Sequence, residues 1–331
     1  MRHSSLDIAY TPADIKSITY CSRFTENLAA AATVQGVSLR NFPSVLKQRA
    51  FRRLDIILLN WIENGLIDRW GRATIRQFVR LALKIILLRL CFRKLIFVRH
   101  NHFPHGTRER DQRKAKWMTD CIENLCHGAI VHSPTEVRRH RHYVPHPLYK
   151  VAVNKVPLPE KDPYFIAFGR IVPYKRLKEL IASFPTDKRL LIAGVCDDPN
   201  YLAELQAFAG AHVHFRPDYI PEDEAQALVA GSQGLIISHA DRDMIVSASF
   251  FYALSVGTRV ICLGSPFLCW AEKMLGSEVV RTSPDVDALC RAVAAAPVSL
   301  PFDIAAKEKI EKLFGDAAVR TALAECGLIA T

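Results

Sequence analysis

No two of the nine cysteines in this 331-residue chain stand at Cys-x-x-Cys spacing. Neither a zinc ribbon nor a thioredoxin-type motif is supported. The odd count and scattered positions fit thiols kept reduced, not a disulfide framework. A long apolar run is also missing. Charges interrupt every candidate before it reaches the roughly 20 residues a bilayer-crossing helix needs. The opening residues, Met1-Arg-His-Ser-Ser-Leu-Asp, contain no apolar core of the kind a secretory leader carries, so the expectation is a cytoplasmic protein. Internal short repeats and low-complexity segments are absent as well. What remains is ordinary globular composition, 50% hydrophobic and 23% charged, which argues against disorder. The length suits two domains better than one core.

Acidic residues are scarce in the first half only. Residues 1–150 carry 26 Lys and Arg against 11 Asp and Glu, a balance of +15, whereas residues 151–331 carry 18 against 22, a balance of −4. Such asymmetry points to an anionic partner for the first half: a membrane surface, a phosphorylated acceptor or nucleic acid. Aromatic residues are sparse within the basic run, which argues against nucleic acid. Arg72, Arg76, Arg80 and Lys84 recur every fourth residue, so a helix gathers them on one stripe, with Phe78, Ala82, Ile85 and Ile86 toward another face. A helix of that kind can lie on anionic lipid; it can equally be a domain helix with one solvated face.

Strand-like and helix-like patterns alternate, the mark of an α/β protein. In the first half, strands are expected at 17–21, 55–60, 95–99 and 129–132, and helices at 25–35, 74–94 and 113–126. Val144-Pro-His146-Pro then reads as a linker, because two prolines exclude a regular element. In the second half, strands are expected at 165–168, 189–193, 213–216, 234–237 and 259–263, with helices at 177–183, 201–209, 223–230 and 248–256. A last helical stretch covers 305–326. Two open parallel sheets joined by a linker would put a cleft at the carboxyl ends of both.

The most informative stretch is Phe168-Gly169-Arg170-Ile-Val-Pro-Tyr-Lys175. A glycine turns the chain at the end of a buried strand, and an arginine and a lysine follow within one short loop. Arginine can hold a phosphate through two parallel donors and lysine adds a point charge. The pair suits a departing diphosphate, which makes a nucleotide-sugar site the leading reading. Ser247-Ala-Ser249 opens a helix whose first amides could meet phosphate oxygens, although plain N-capping explains the serines too. Phe215, after a strand, could border a nucleobase. Asp241-Arg-Asp243 has a form that could bind Mg²⁺ or Mn²⁺, but basic residues already serve the phosphates and no metal is expected.

With Gly169-Arg170…Lys175, Leu191-Ile-Ala-Gly194, Val213-His-Phe215, Leu235-Ile-Ile-Ser238 and Ala253-Leu-Ser-Val-Gly257 in that order, the second half resembles the donor-binding domain of GT-B glycosyltransferases, family 4 in particular. The first half, through Arg23-Phe-Thr-Glu26-Asn27, Asn60-Trp61-Ile-Glu63 and His100-Asn101-His-Phe-Pro104-His105, resembles bacterial exopolysaccharide (xanthan-type) β-mannosyltransferases. A His-Trp-Pro-Glu-like sequence is usual there; Asn60 and Ile62 depart from it, while Trp61 and Glu63 keep it. The resemblance implies a GT-B fold of two Rossmann-like domains whose parallel sheets face an interdomain cleft. It implies an acceptor-binding, membrane-facing domain at 1–147, a donor-binding domain at 148–304 and a C-terminal helical segment at 305–331. Arg170 and Lys175 would neutralise the diphosphate of a GDP- or UDP-hexose, which is a co-substrate; no cofactor is implied. Many retaining relatives carry two glutamates where this chain has Met244 and Tyr252, a departure that favours an inverting enzyme, with Asp243 standing in on the ribose.

An inverting transfer requires a base for the acceptor hydroxyl. Glu63, Glu26, His100 and His105 all fall near strand ends. Glu63 leads, since a carboxylate beside Trp61 could have a raised pKa and the indole could stack on a sugar. The histidines at 100, 102, 105, 140, 142 and 146 lack zinc spacing and cysteine partners. The expected activity is transfer of a hexose, with mannose from GDP-mannose as the implied case, to a lipid-linked oligosaccharide at the inner face of the cytoplasmic membrane. A sugar-nucleotide epimerase of the same fold and a non-catalytic basic membrane-binding module are the alternatives.

Overall fold

A computed structural model describes residues 6–49, 54–151, 163–240, 244–297 and 302–329. The chain forms two compact units, one of Met1–Pro147, Arg242–Val246 and Phe314–Thr331, the other of Leu148–Asp241 and Ser247–Leu313.

The first unit runs β1 (Leu6–Tyr10), α1 (Thr19–Ala29), β2 (Ala32–Gly36), α2 (Phe42–Arg49), β3 (Leu54–Asn60), α3 (Ile75–Leu88), β4 (Phe92–Arg99), α4 (Gln112–Leu125), β5 (Gly128–Val131) and β6 (Arg141–Tyr143). Its six strands lie in the order β2-β1-β3-β4-β5-β6 and all pair in parallel. Both faces of a parallel sheet are covered, so its central strands are continuously apolar; Ile56, Ile57, Leu58 and Leu59 of β3 are all buried.

The second unit runs β7 (Tyr164–Phe168), α5 (Leu177–Ser183), β8 (Arg189–Ala193), α6 (Pro199–Phe208), β9 (Val213–Arg216), α7 (Glu222–Ala230), β10 (Leu235–Ile237), α8 (Ala248–Ser255), β11 (Val260–Leu263), α9 (Pro266–Leu275), β12 (Val280–Ser283), α10 (Val286–Ala294) and α11 (Ile304–Phe314). Its sheet, again parallel, has the order β12-β11-β10-β7-β8-β9. Side-chain caps start several helices: Asp198 accepts from the amides of Asn200 and Tyr201, and Asp285 from that of Ala288. The last helix, α12 (Asp316–Glu325), returns to the first unit.

Several expectations need correction. Residues 17–21 are not a strand. They lead into α1, because Tyr20, Phe24 and Leu28 recur every four residues and pack into one core with Ile8 and Tyr10; burial overrides the β-branched local composition. The true first strand is β1, and β2 replaces the end of the helix expected at 25–35. The long helix expected at 74–94 stops at Leu88, where β4 must begin by Phe92. Arg72 therefore precedes α3 and pairs with Asp68, 2.8 Å away, outside the helical stripe. Strands β6 and β12 were not expected. The stretch 305–326 is divided at Gly315, which is the N-cap of α12.

Candidate functional site

In the first unit the chemistry gathers at the carboxyl ends of the strands, where open α/β sheets bind ligands. Asn60 ends β3 and Trp61 follows it; His100 follows β4; His132 follows β5; His146 lies just beyond β6. Tyr20 of α1 closes the group. The Trp61 indole stacks on the His100 imidazole at 4.3 Å and 14°. Tyr20 meets His100 edge-on at 5.0 Å and packs against His132 and His146 at 5.3 and 4.8 Å. Trp61 has a left-handed backbone, φ 50°. That region costs a bulky residue on the order of 1–3 kcal/mol and tends to mark functional sites.

The hydrogen bonds are specific. His132 Nδ1 lies 2.8 Å from the Val144 carbonyl, which can only accept, so Nδ1 carries the proton. His132 Nε2 then accepts from the Tyr20 hydroxyl at 2.7 Å. His146 Nδ1 donates in the same way to the Pro147 carbonyl, 2.8 Å away. Burial depresses all three imidazoles: His132 to about 4, His100 and His146 well below the ordinary histidine value. Mutual repulsion adds to the effect on His100 and His146. The cluster is neutral at pH 7.

Glu63, on the 3-10 turn after Trp61, has no exposed surface, and neither carboxylate oxygen has a well-formed hydrogen bond. Burial raises its pKa to about 7, although its own amide, the Arg99 charge, the Asn101 side chain and His105 pull the other way. The structure thus gives the raised carboxyl expected beside Trp61, but holds it beneath the surface and stacks the indole on His100. Glu26 is elsewhere: it pairs with Arg23, which also reaches Asp316 of α12 at 2.7 Å. Tyr20 is well over a helical turn away along α1.

Beneath the His100 loop lies a charged knot. Arg99, fully buried, meets Asp120 and Glu123 of α4 at 2.6 Å each. It also donates to the Asn101 and His102 carbonyls at 3.1 and 2.9 Å. Arg141 of β6 meets the other oxygen of Glu123 at 2.6 Å. The knot fixes the turn that carries His100.

In the second unit the equivalent strand ends carry the loop singled out in the sequence. Gly169 follows β7 with φ 100°, and a Cβ there would stand 3.0 Å from the Lys175 ammonium. Gly194, after β8, has φ 128°, and a Cβ would sit 2.7 Å from the Gly169 carbonyl oxygen. The spacing of the two glycine motifs therefore records one close approach of two loops. Lys175 Nζ donates to the Phe168 carbonyl at 3.2 Å, and Ser249, in the first turn of α8, donates to the same oxygen at 3.3 Å. Burial, helped by the Arg170 charge, lowers the Lys175 pKa to about 8. Gly169, Lys175, Ser238, His239 and Ser249 line a small cavity there.

Of the other expected donor residues, those that are described do not line this cavity. Arg170 is exposed and paired with Asp197. Ser247 is buried at the N-cap of α8 without bonding an amide. Phe215, on the edge strand β9, packs against the core of its unit. Asp243, with Asp241 and Arg242, lies outside the described residues. Tyr252 stacks on Phe168 at 5.2 Å. Met244 bridges Asn101 in the first unit. Among the described residues, no three His, Cys, Asp or Glu converge as metal ligands. Sequence reasoning missed Tyr20, His132, Ser238 and His239 as site residues. Only the positions of His132 and Ser238 at strand ends could have signalled them.

The sequence matches no family model and no curated protein. Solved structures do match across nearly the whole chain. AviGT4, a glycosyltransferase involved in avilamycin A biosynthesis, has a TM-score of 0.56 at 16% identity, covering 97% of this chain and 96% of its own. An α,α-trehalose-phosphate synthase (UDP-forming) from Burkholderia vietnamiensis has a TM-score of 0.57 at 12% identity, covering 98% of each chain. The MnaA–UDP structure from S. aureus has a TM-score of 0.55 at 10% identity, again covering 98% of each. The fold is GT-B. The two parallel sheets are its two Rossmann-like domains, and this GT-B chain keeps its polar and aromatic clusters at the strand ends of each.

Proposed function

We propose that this chain is a glycosyltransferase that moves a hexose from a nucleotide sugar to an acceptor hydroxyl. The observation that carries the reading is Lys175: a half-buried ammonium at the end of β7, lining a cavity with Gly169 and Ser249. A cation in a site of reduced dielectric, beside the first turn of a helix, suits the charge that grows on a departing diphosphate. Arg170 would exchange its surface partner Asp197 for a phosphate oxygen. The neutral histidine cluster of the first unit suits an acceptor site, because a base must be unprotonated before it can take a proton. The reading is inverting and metal-independent, with GDP-mannose or another GDP- or UDP-hexose as donor.

The acceptor we favour is a lipid-linked oligosaccharide, met at an anionic membrane surface. Ile75, Val79, Leu83, Ile86 and Leu90 are exposed along α3 and just beyond it, at helical spacing. Arg76, Arg80 and Lys84 form an adjacent basic stripe, and exposed Trp70 and Trp117 flank the surface. Apolar contact beside basic charge is what an interfacial helix offers to anionic lipid. Among the described residues no helix is long and apolar enough to cross a membrane.

The test is incubation of the full chain with a panel of GDP- and UDP-sugars, with and without a polyprenyl-diphosphate-linked oligosaccharide. Sugar transfer with release of nucleoside diphosphate is expected. An epimerised donor formed without acceptor would replace this reading with an epimerase. Vesicle binding with no donor binding at all would leave a non-catalytic membrane module.

A further inference from the structure

We infer that Asn60 is a positioning residue that fixes His100 in its Nε2–H tautomer and leaves Nδ1 as the proton-accepting atom of the first unit's site. The inference rests on the glycosyltransferase reading and adds to it the identity of the base and the residue that prepares it.

The geometry fixes each proton in turn. Asn60 is buried at the end of β3, in register with Val98 of β4. Its backbone amide donates to Thr11 Oγ1 at 3.0 Å. Its side-chain amide nitrogen lies 2.8 Å from the Thr11 carbonyl oxygen. A carbonyl can only accept, so the NH₂ must face Thr11 and the Asn60 amide cannot be reversed. Oδ1 then faces His100 Nε2 at 2.9 Å. An amide oxygen can only accept, so Nε2 must hold the proton. A neutral imidazole has one N–H, which leaves the Nδ1 lone pair available. Nδ1 makes no hydrogen bond among the described residues. Trp61 stacked on one face and Tyr20 set edge-on hold the ring in this orientation.

The neighbouring histidines are arranged the other way round. His132 and His146 both use Nδ1–H to donate to backbone carbonyls, and His132 Nε2 is taken by Tyr20. His100 is the member of the trio whose Nδ1 is left as an acceptor. Glu63, with no exposed surface, is less well placed to touch an acceptor. In the step itself, the acceptor hydroxyl gives its proton to His100 Nδ1 as its oxygen bonds the anomeric carbon. The bond from that carbon to the diphosphate oxygen breaks, and its electron pair leaves with the diphosphate. His100 becomes an imidazolium whose Nε2–H remains on Asn60 Oδ1.

Two measurements test this on the full chain. Histidine ¹⁵N NMR of the unaltered protein near neutral pH should show His100 protonated at Nε2 and bare at Nδ1. With the donor and acceptor found to be turned over, Asn60→Leu should lower kcat roughly 10- to 100-fold, toward the loss of general-base catalysis, with donor KM unchanged. Its spectrum should show His100 no longer confined to one tautomer. Asn60→Asp keeps an acceptor oxygen and adds a charge that favours the imidazolium. It should move the acidic limb of the kcat–pH profile to higher pH, which a merely structural role would not do. An Nδ1–H tautomer in the unaltered protein overturns the inference, whether or not any variant folds. So does an Asn60→Leu variant with unchanged kcat and pH profile. If no nucleotide sugar is turned over, the functional reading fails and the base role with it, while the spectrum still reports the tautomer separately.

Discussion

Lys175 and Arg170 lie five residues apart in one loop, yet their surroundings separate them chemically. Arg170 is exposed and paired, whereas Lys175 is half-buried and its pKa falls to about 8. In the proposed role its ammonium would be the form that binds phosphate, so affinity for GDP or UDP should weaken as pH rises above about 8. Titration calorimetry from pH 7 to 9.5 would show this slope. Lys175→Met should remove the slope and weaken binding roughly 10- to 100-fold, the effect of one charge-assisted hydrogen bond. The linkage for folding has the opposite sense. Between about 8 and the ordinary lysine value of 10.5 the unfolded chain binds the extra proton and the folded chain does not. Stability of the ligand-free protein from this group therefore rises with pH across that window.

At the scale of elements, the Arg99–Glu123–Arg141 knot joins β4, α4 and β6 behind the His100 turn. Glu123→Ala would leave two buried guanidinium groups short of their main counter-charge. A loss of about 3–5 kcal/mol is expected, read as a lower midpoint in urea with unchanged slope. The knot was invisible in the sequence, since it depends on side chains 24 and 18 positions apart meeting in space. Strands β7, β10 and β11 were legible because a buried parallel strand is apolar throughout and flanked by turns. Strands β6, Arg-His-Tyr, and β12, Val-Arg-Thr-Ser, were not, because edge positions let polar residues interrupt the run. The Gly169–Lys175 loop was legible because its glycine and its cation stand in one short stretch of sequence. The histidine cluster of the first unit was legible only in part. Trp61 and His100 follow recognisable strands, but Tyr20 arrives from a helix whose start resembled a strand. Asn60 could be read only as a departure until its register with β4 was known.

Across the whole molecule, the +15 balance of residues 1–150 stands against −4 for the remainder, so the basic charge is concentrated in the first part of the chain. The exposed row on α3 supplies apolar contact within the basic half. Vesicles containing phosphatidylglycerol should float with the protein, and those of phosphatidylcholine alone should not. At about 1 kcal/mol for each basic residue near the surface, the double change Arg76→Ala and Arg80→Ala should lower partitioning roughly 30-fold. Added salt should weaken the unaltered protein toward the same level. Equal flotation on neutral and anionic vesicles would contradict this picture.

The return of α12 to the first unit carries a consequence for biosynthesis. Val319 and Leu323 pack with Tyr20, Phe24 and Leu28, residues made almost three hundred positions earlier. The amino-terminal sheet cannot close its core on the ribosome until the final helix has emerged. The second unit is complete at Leu313, so the half of the protein translated earliest is the one that waits for the last helix.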